Sequence, residues 1–178
     1  YYHSSMRQNG ALEQRFLIYA FRMATTSKEA NADPALKAAI TKAFTEQMPD
    51  MVFVNAGEGS ISHPTQALLD MKTILDHKNS FDGLKIVIIG DLDHSRVTSS
   101  FVEGISNFDI ESLSFCGHPE MCTNYQNTDV GKFEPDIERA LEDADVVMTL
   151  RIQYERFEKD LNLDLDTYKS AYQLSSEK

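Results

Sequence analysis

Apolar positions along the chain follow two alternating rhythms. Between Pro34 and Gln47 they fall three and four apart, at Leu36, Ala39, Ile40 and Phe44, the spacing of one helix face. Met48-Pro49-Asp50 stops that helix. The run Met51-Val52-Phe53-Val54 then reads as a buried strand, and Asn55-Ala56-Gly57-Glu58-Gly59 as the turn that leaves it. Helical spacing returns after Pro64, where Ala67, Leu68, Met71, Ile74 and Leu75 predict one apolar face on a helix that reaches His77. Proline suits the first turn of a helix, because its missing N–H is not needed there.

Lys78 to Gly83 is a polar break, and a domain boundary is expected there. Leu84-Lys85-Ile86-Val87-Ile88-Ile89-Gly90-Asp91 is the clearest strand, and its unbroken β-branched run suits a parallel strand buried on both faces. The pattern then predicts a helix over Ser95–Ser106 and a strand over Ser112–Gly117. A long loop follows over 118–133, then a short helix over Asp136–Glu142 and a strand over Asp145–Leu150. Arg151–Lys159 reads as a loop or irregular helix, and Asp166–Tyr172 as a final short helix. Upstream, Arg15–Phe21 is a short aromatic-rich run that fits a strand or a helix. Strands that alternate with helices imply an α/β fold with a parallel sheet.

Composition narrows the class. The 178 residues are 42% hydrophobic and 25% charged, the balance of a globular protein. Seventeen basic against 28 acidic residues give a formal charge of −11. That argues against nucleic acid or an acidic membrane surface as the main partner, but not against a small anion held by local positive charge. No apolar run reaches the length of a membrane span and no signal-peptide pattern opens the chain, so the cytoplasm is expected. A chain that opens on Tyr1 is expected to begin inside a longer reading frame or after processing. Cys116 and Cys122 match neither a disulfide framework nor a zinc pattern, and are read as free thiols.

Three polar clusters punctuate the apolar pattern. His63, Thr65 and Gln66 stand at a helix start, where free N–H groups and the dipole favour an anion; the plainer alternative is that His63 only caps the helix. Ser95 and Arg96 open the next helix, at the C-terminal end of a parallel strand, where open α/β sheets bind ligands. Arg96 can clamp a carboxylate in two-pronged fashion or serve in a surface ion pair. Arg151 and Gln153 leave the next strand on the same rim and alternate, so they share a side if the segment is extended. Two arginines and an amide would make a pocket for a dicarboxylate. Asp91 and Asp93 have the look of turn and cap residues more than of metal ligands. His118, before Pro119, is read as a loop residue, and His3, His77 and His94 have no ligand spacing. A lone Gly90 is not a Gly-x-Gly-x-x-Gly fingerprint, which excludes a nicotinamide cofactor, and no Gly-x-Ser-x-Gly elbow occurs.

The octamer His63-Pro64-Thr65-Gln66-Ala67-Leu68-Leu69-Asp70, the turn Gly90-Asp91 through His94-Ser95-Arg96-Val97, and Leu150-Arg151-Ile152-Gln153 with Glu155-Arg156 occur in this order. Together they resemble the aspartate carbamoyltransferase family over about residues 51–176. Thr65 and the His-Ser-Arg-Val turn side with the aspartate enzymes over their ornithine relatives. The resemblance implies carbamoyl transfer from carbamoyl phosphate to L-aspartate, the committed step of pyrimidine synthesis, in a homotrimer and without a cofactor or metal. It places His63 and Gln66 on carbamoyl phosphate, with His63 catalytic, and Arg96, Arg151, Gln153 and Arg156 on aspartate, with Arg156 in a mobile closing loop. A helix dipole opposes imidazolium by roughly 0.3–1 kcal/mol, which suits a neutral His63 that donates to a carbonyl oxygen.

The resemblance also implies a division of the chain. Residues 1–62 would be the end of a carbamoyl-phosphate domain, 63–82 a linking helix and hinge, and 83–178 part of an aspartate domain. The family's phosphate-gripping Ser-Thr-Arg-Thr-Arg segment and its His-Pro-Gly-Pro-type segment occur nowhere in these residues. The chain is therefore expected to be the middle of such an enzyme, inactive by itself. The alternative is a non-catalytic paralogue that acts as a binding or assembly subunit.

Overall fold

A computed structural model describes residues 19–23, 46, 53–58, 62–156 and 164–175. The chain divides into two compact units, one of residues 1–21 and 25–54, the other of 22–24 and 55–178. Strands β1 (Tyr19–Met23) and β2 (Phe53–Glu58) form a two-stranded sheet. β2 runs on through Asn55–Glu58, where the composition predicts a turn. Pairing with β1 carries the backbone past residues of weak strand preference. The helix expected over Pro34–Gln47 lies outside the described residues except for Glu46, which is helical.

The larger unit holds the expected α/β layers. Its elements are α1 (Pro64–Lys78), β3 (Lys85–Ile89), α2 (Arg96–Ile105), β4 (Ser112–Cys116), β5 (Lys132–Phe133), α3 (Ile137–Leu141), β6 (Val146–Thr149) and α4 (Leu165–Tyr172). The four strands are all parallel in the order β5-β4-β3-β6, with Ile88 beside both Phe115 and Met148. The stretch expected as one long loop over 118–133 contains two 3₁₀ turns, Pro119–Met121 and Thr123–Tyr125, and ends in β5.

Strand periodicity explains the core. Ile86 and Ile88 face one side of the sheet and join Phe101 and Ile105 of α2 and Ala67 and Met71 of α1. Val87 and Ile89 face the other side and join Ile137 and Ala140 of α3. Helices therefore cover both faces of β3, as its uninterrupted apolar run requires. The apolar face expected on α1 is narrower than its sequence suggests. Ala67 and Met71 are buried and Ile74 packs beside them, whereas Leu68 and Leu69 are 61% and 60% exposed and Leu75 is exposed too. Only a ridge of residues three and four apart meets α2.

Glycines let the strand ends converge. Gly90 follows β3 with φ +127°, and a Cβ there would lie 2.5 Å from the Leu150 carbonyl oxygen beyond β6. Gly117 follows β4, and a Cβ on it would lie 2.4 Å from the Gly90 carbonyl oxygen. The backbones of three strands thus meet at one C-terminal rim.

Candidate active site

The rim is assembled around the turn that leaves β3. Asp91 is fully buried. Its Oδ1 lies 2.7 Å from Nδ1 of His94, and its Oδ2 accepts from the Gln153 backbone N–H at 2.9 Å. Asp93 accepts from the backbone N–H groups of Thr123 at 2.7 Å and Asn124 at 3.1 Å. Both aspartates thus anchor loops, as turn and cap residues do. Among the described residues no three His, Cys, Asp or Glu side chains are grouped to hold a metal ion.

Ser95 caps α2, its hydroxyl accepting from the Thr98 N–H at 3.3 Å. Arg96 is therefore the first helical residue, half-buried at the rim. The segment after β6 closes on the same turn from the other side. Gln153 reaches Asp91 through its backbone, and Arg156 Nη1 donates to the His94 carbonyl at 2.6 Å. Arg151 is turned to its own neighbour. Its Nη1 donates to Glu155 Oε2 at 3.1 Å and to the Ile152 carbonyl at 3.2 Å, while Nη2 makes a second contact with Glu155. The Arg151 guanidinium holds the Glu155 carboxyl down at about 2.

α1 meets α2 through its first residue. His63 is the N-cap, and its carbonyl accepts from Gln66 and Ala67 N–H, both at 3.1 Å. Its own N–H donates to Ser100 Oγ of α2 at 2.9 Å, and its Nδ1 lies 3.3 Å from Thr65 Oγ1. Gln66 Nε2 donates to Asp70 Oδ1 at 2.9 Å. Ser100 is one helical turn from Arg96 on the same ridge of α2. The structure thus ties Gln153 and Arg156 to the turn after β3 and His63 to Ser100 of α2, and pairs Arg151 and Gln66 with carboxylates four residues on.

The sequence reading gave Ser100 and Glu155 no role of their own and set His94 aside. The four-residue spacing of Arg96 and Ser100 and of Arg151 and Glu155 is a signal it could have used. Cys116 and Cys122 are buried, and burial pushes both thiols up to about 12, so they stay protonated at neutral pH. An open cleft of about 430 Å³ lies beside this edge, between Leu150, Arg151 and Ile152 and the α4 residues Tyr168, Lys169 and Tyr172. Neither His63 nor Arg96 lines it.

No protein-family model matches the chain. The aspartate carbamoyltransferase catalytic subunit of Natranaerobius thermophilus is 44% identical over 126 residues, which are 70% of this chain and 40% of that one. The aspartate transcarbamoylase catalytic subunit of M. jannaschii superposes with a TM-score of 0.52 at 32% identity, over 67% of this chain and 40% of its own. The Trypanosoma cruzi aspartate transcarbamoylase, solved in complex with carbamoyl aspartate and phosphate, gives 0.52 at 29% identity over 59% and 37%. The chain spans about two fifths of the length of the curated relatives it matches.

Proposed function

The chain belongs to the aspartate carbamoyltransferase family, and we propose that it carries the carbamoyl and aspartate contacts of that enzyme's site. The reaction is attack of the L-aspartate amine on the carbamoyl carbon of carbamoyl phosphate. The C–O bond to phosphate breaks, phosphate leaves, and the amine loses a proton. His63 and Gln66 meet the carbamoyl group, and a hydrogen bond from the His63 ring stabilises the charge that grows on the carbonyl oxygen. Arg96, Arg151 and Gln153 hold the aspartate carboxylates. Arg156, docked on the His94 carbonyl, orders the segment that carries Arg151 and Gln153. In this reading residues 63–82 form the linking helix between the remnant of a carbamoyl-phosphate domain at 1–62 and an aspartate domain at 83–178. It extends to a homotrimer in the cytoplasm.

The observation that carries the proposal is the tying of two distant segments to the turn after β3 and the helix it opens. His63 donates to Ser100 at 2.9 Å, Gln153 to Asp91 at 2.9 Å and Arg156 to the His94 carbonyl at 2.6 Å. Holding two substrates in register supplies much of the rate in such a transfer, with no covalent intermediate needed. The Trypanosoma cruzi relative, solved with carbamoyl aspartate and phosphate, supports the choice of ligands.

Calorimetric titration with succinate, a dicarboxylate without the reacting amine, tests the aspartate side. Arg151→Ala should abolish the binding heat, and an unchanged affinity removes Arg151 from the site. A steady-state assay of the 178-residue chain with both substrates should give turnover far below family levels, because the Ser-Thr-Arg-Thr-Arg grip on phosphate is not in its sequence. Turnover at family levels overturns that part of the reading.

A further inference from the structure

We propose that Asn79 is a deamidation site, where spontaneous ring closure with Ser80 lengthens the link between α1 and β3. Asparagine is a thermolabile residue. It is lost when the backbone nitrogen of the next residue attacks its side-chain carbonyl carbon. That attack is favoured by a free amide, an unbonded N–H on the next residue and a small neighbour. Asn79 follows the last residue of α1, with φ 66° and ψ −15°. Glycine and asparagine are the residues that end helices in this left-handed conformation. The Asn79 N–H donates to the Leu75 carbonyl at 2.8 Å, but its exposed side-chain amide meets no partner among the described residues. The N–H of Ser80 has no acceptor among them either, while the Ser80 hydroxyl accepts from the Asp82 N–H at 3.1 Å. Asn107 gives the contrast. Its Nδ2 donates to the carbonyls of Glu103 at 2.9 Å and Gly104 at 3.1 Å, and the bulky Phe108 follows it.

The Ser80 nitrogen loses its proton to hydroxide and attacks Asn79 Cγ. The Cγ–Nδ2 bond breaks, and ammonia leaves with a proton from solvent. Water then opens the five-membered imide at either carbonyl. Attack at Cγ restores the backbone and leaves aspartate. Attack at the backbone carbonyl leaves isoaspartate, with the chain running through Cβ and Cγ. Each event consumes one water and releases one ammonia, with no oxidation or reduction. Aspartate sets a negative charge at the C-terminal end of α1, which the helix dipole opposes and the neighbouring His77 and Lys78 offset. Isoaspartate does more, because it adds one atom to the backbone just before the contacts that seat β3. There Gly83 N–H donates to the Asp109 carbonyl at 2.8 Å and Leu84 N–H to the Phe81 carbonyl at 3.2 Å. Phe81 is buried, its ring centroid 4.4 Å from that of Phe108, so a longer link strains an anchored segment. The chemistry needs no substrate and holds whatever the chain binds.

Timed incubation of the 178-residue chain in mildly alkaline buffer, followed by peptide mapping with mass spectrometry, tests this. Residue 79 should gain one mass unit and appear as two isomeric peptides, and the rate should rise with pH because the attacking nitrogen must lose its proton. By sequence Asn9-Gly10 is also labile, so fragment ions must place the gain on residue 79. Asn79 should convert at least about tenfold faster than Asn107, where a hydrogen bond has to break first. Asn79→Gly, which suits the left-handed turn, should show no gain in that peptide. An Asn79 that keeps its mass overturns the proposal, and so does conversion no faster than that of Asn107. A product that is aspartate alone overturns the ring route. In the isoaspartyl form, separated chromatographically, the Gly83 and Leu84 amides should exchange at least about tenfold faster, the worth of one ordinary hydrogen bond. Asn79→Asp, which adds the charge without the extra atom, should leave them protected. Equal loss in both forms, or loss in neither, overturns the claim that the longer link is what disturbs β3.

Discussion

The two ends of the larger sheet use aspartate in opposite ways. At the C-terminal end, Asp91 is fully buried and divides its two oxygens between two segments, the His94 ring and the Gln153 backbone. At the N-terminal end, Asp145 is exposed. It accepts from the Lys85 N–H at 3.0 Å and lies 3.4 Å from Lys78 Nζ, while the Lys85 ammonium is shared with Glu111 at 3.3 Å and Asp143 at 3.8 Å. The N-terminal end has more charges and less organisation. Exposed ion pairs gain little, because water and salt screen them and two long side chains must be held still. A buried carboxylate that loses its place strands every donor pointed at it. Organisation at this sheet therefore follows burial, and it is concentrated on the rim that holds the candidate site.

The sharpest way to break the comparison is at Gly90. Its φ of +127° disfavours any L side chain, and an added Cβ would stand 2.5 Å from the Leu150 carbonyl oxygen, a backbone atom that cannot swing aside. Gly90→Ala should cost about 4 kcal/mol or more, as combined strain and overpacking at a special position do. Chemical denaturation measures it. A loss near zero would mean that the three strand ends have room to part and that the rim is not the fixed structure described.

Next in size is the pair of aspartates. Asp91→Ala removes the acceptor of both the His94 ring and the Gln153 N–H, and should cost about 2–4 kcal/mol. It should also release the segment that carries Arg151, so succinate affinity should fall with stability. Asp145→Ala should lower the melting midpoint by clearly less, and the loss should shrink as salt is added. Equal losses from the two substitutions would dissolve the contrast between the ends of the sheet.

Much of this was legible in the chain itself. The β-branched run of β3, the capping Ser95 and the proline that opens α1 each point to one structure by local chemistry alone. Arg96, Arg151 and Gln153 were expected on one edge because parallel strands deliver their C-terminal residues to the same side, whereas His63 follows β2, which pairs in the other sheet. The partners of those residues were harder to read. The acceptor of the His63 N–H lies 37 positions away in Ser100, and the carboxylate that receives the Gln153 N–H lies 62 positions away in Asp91. Periodicity carries no signal for such pairs. The exposure of Leu68 and Leu69 was hidden for a related reason: spacing says which residues share a face, not how wide a neighbour covers it. Asn55–Glu58 reads as a turn by composition and is strand by pairing, a case of tertiary context overriding local preference.

The smallest effect concerns Arg151, a rim cation paired with Glu155 beside it. Its hydrogen bond holds the Glu155 carboxyl at about 2, against an ordinary value of 4.5. A depressed carboxylate contributes stability that is complete above its ordinary value and is lost as pH falls toward the depressed one. Both groups are exposed, so the change in folding stability should be slight. The titration itself is the sensitive readout. Followed by the Glu155 side-chain carbon resonance, the midpoint should lie near 2 in the wild type and rise toward 4.5 in Arg151→Ala. A dicarboxylate that takes Arg151 must displace Glu155, so saturating succinate should move the wild-type midpoint upward in the same direction. A wild-type midpoint already at 4.5 would place Arg151 outside the pair. Arg151 would then resemble the screened charges at the other end of the sheet, and the arginine would meet its ligand with no competitor to remove.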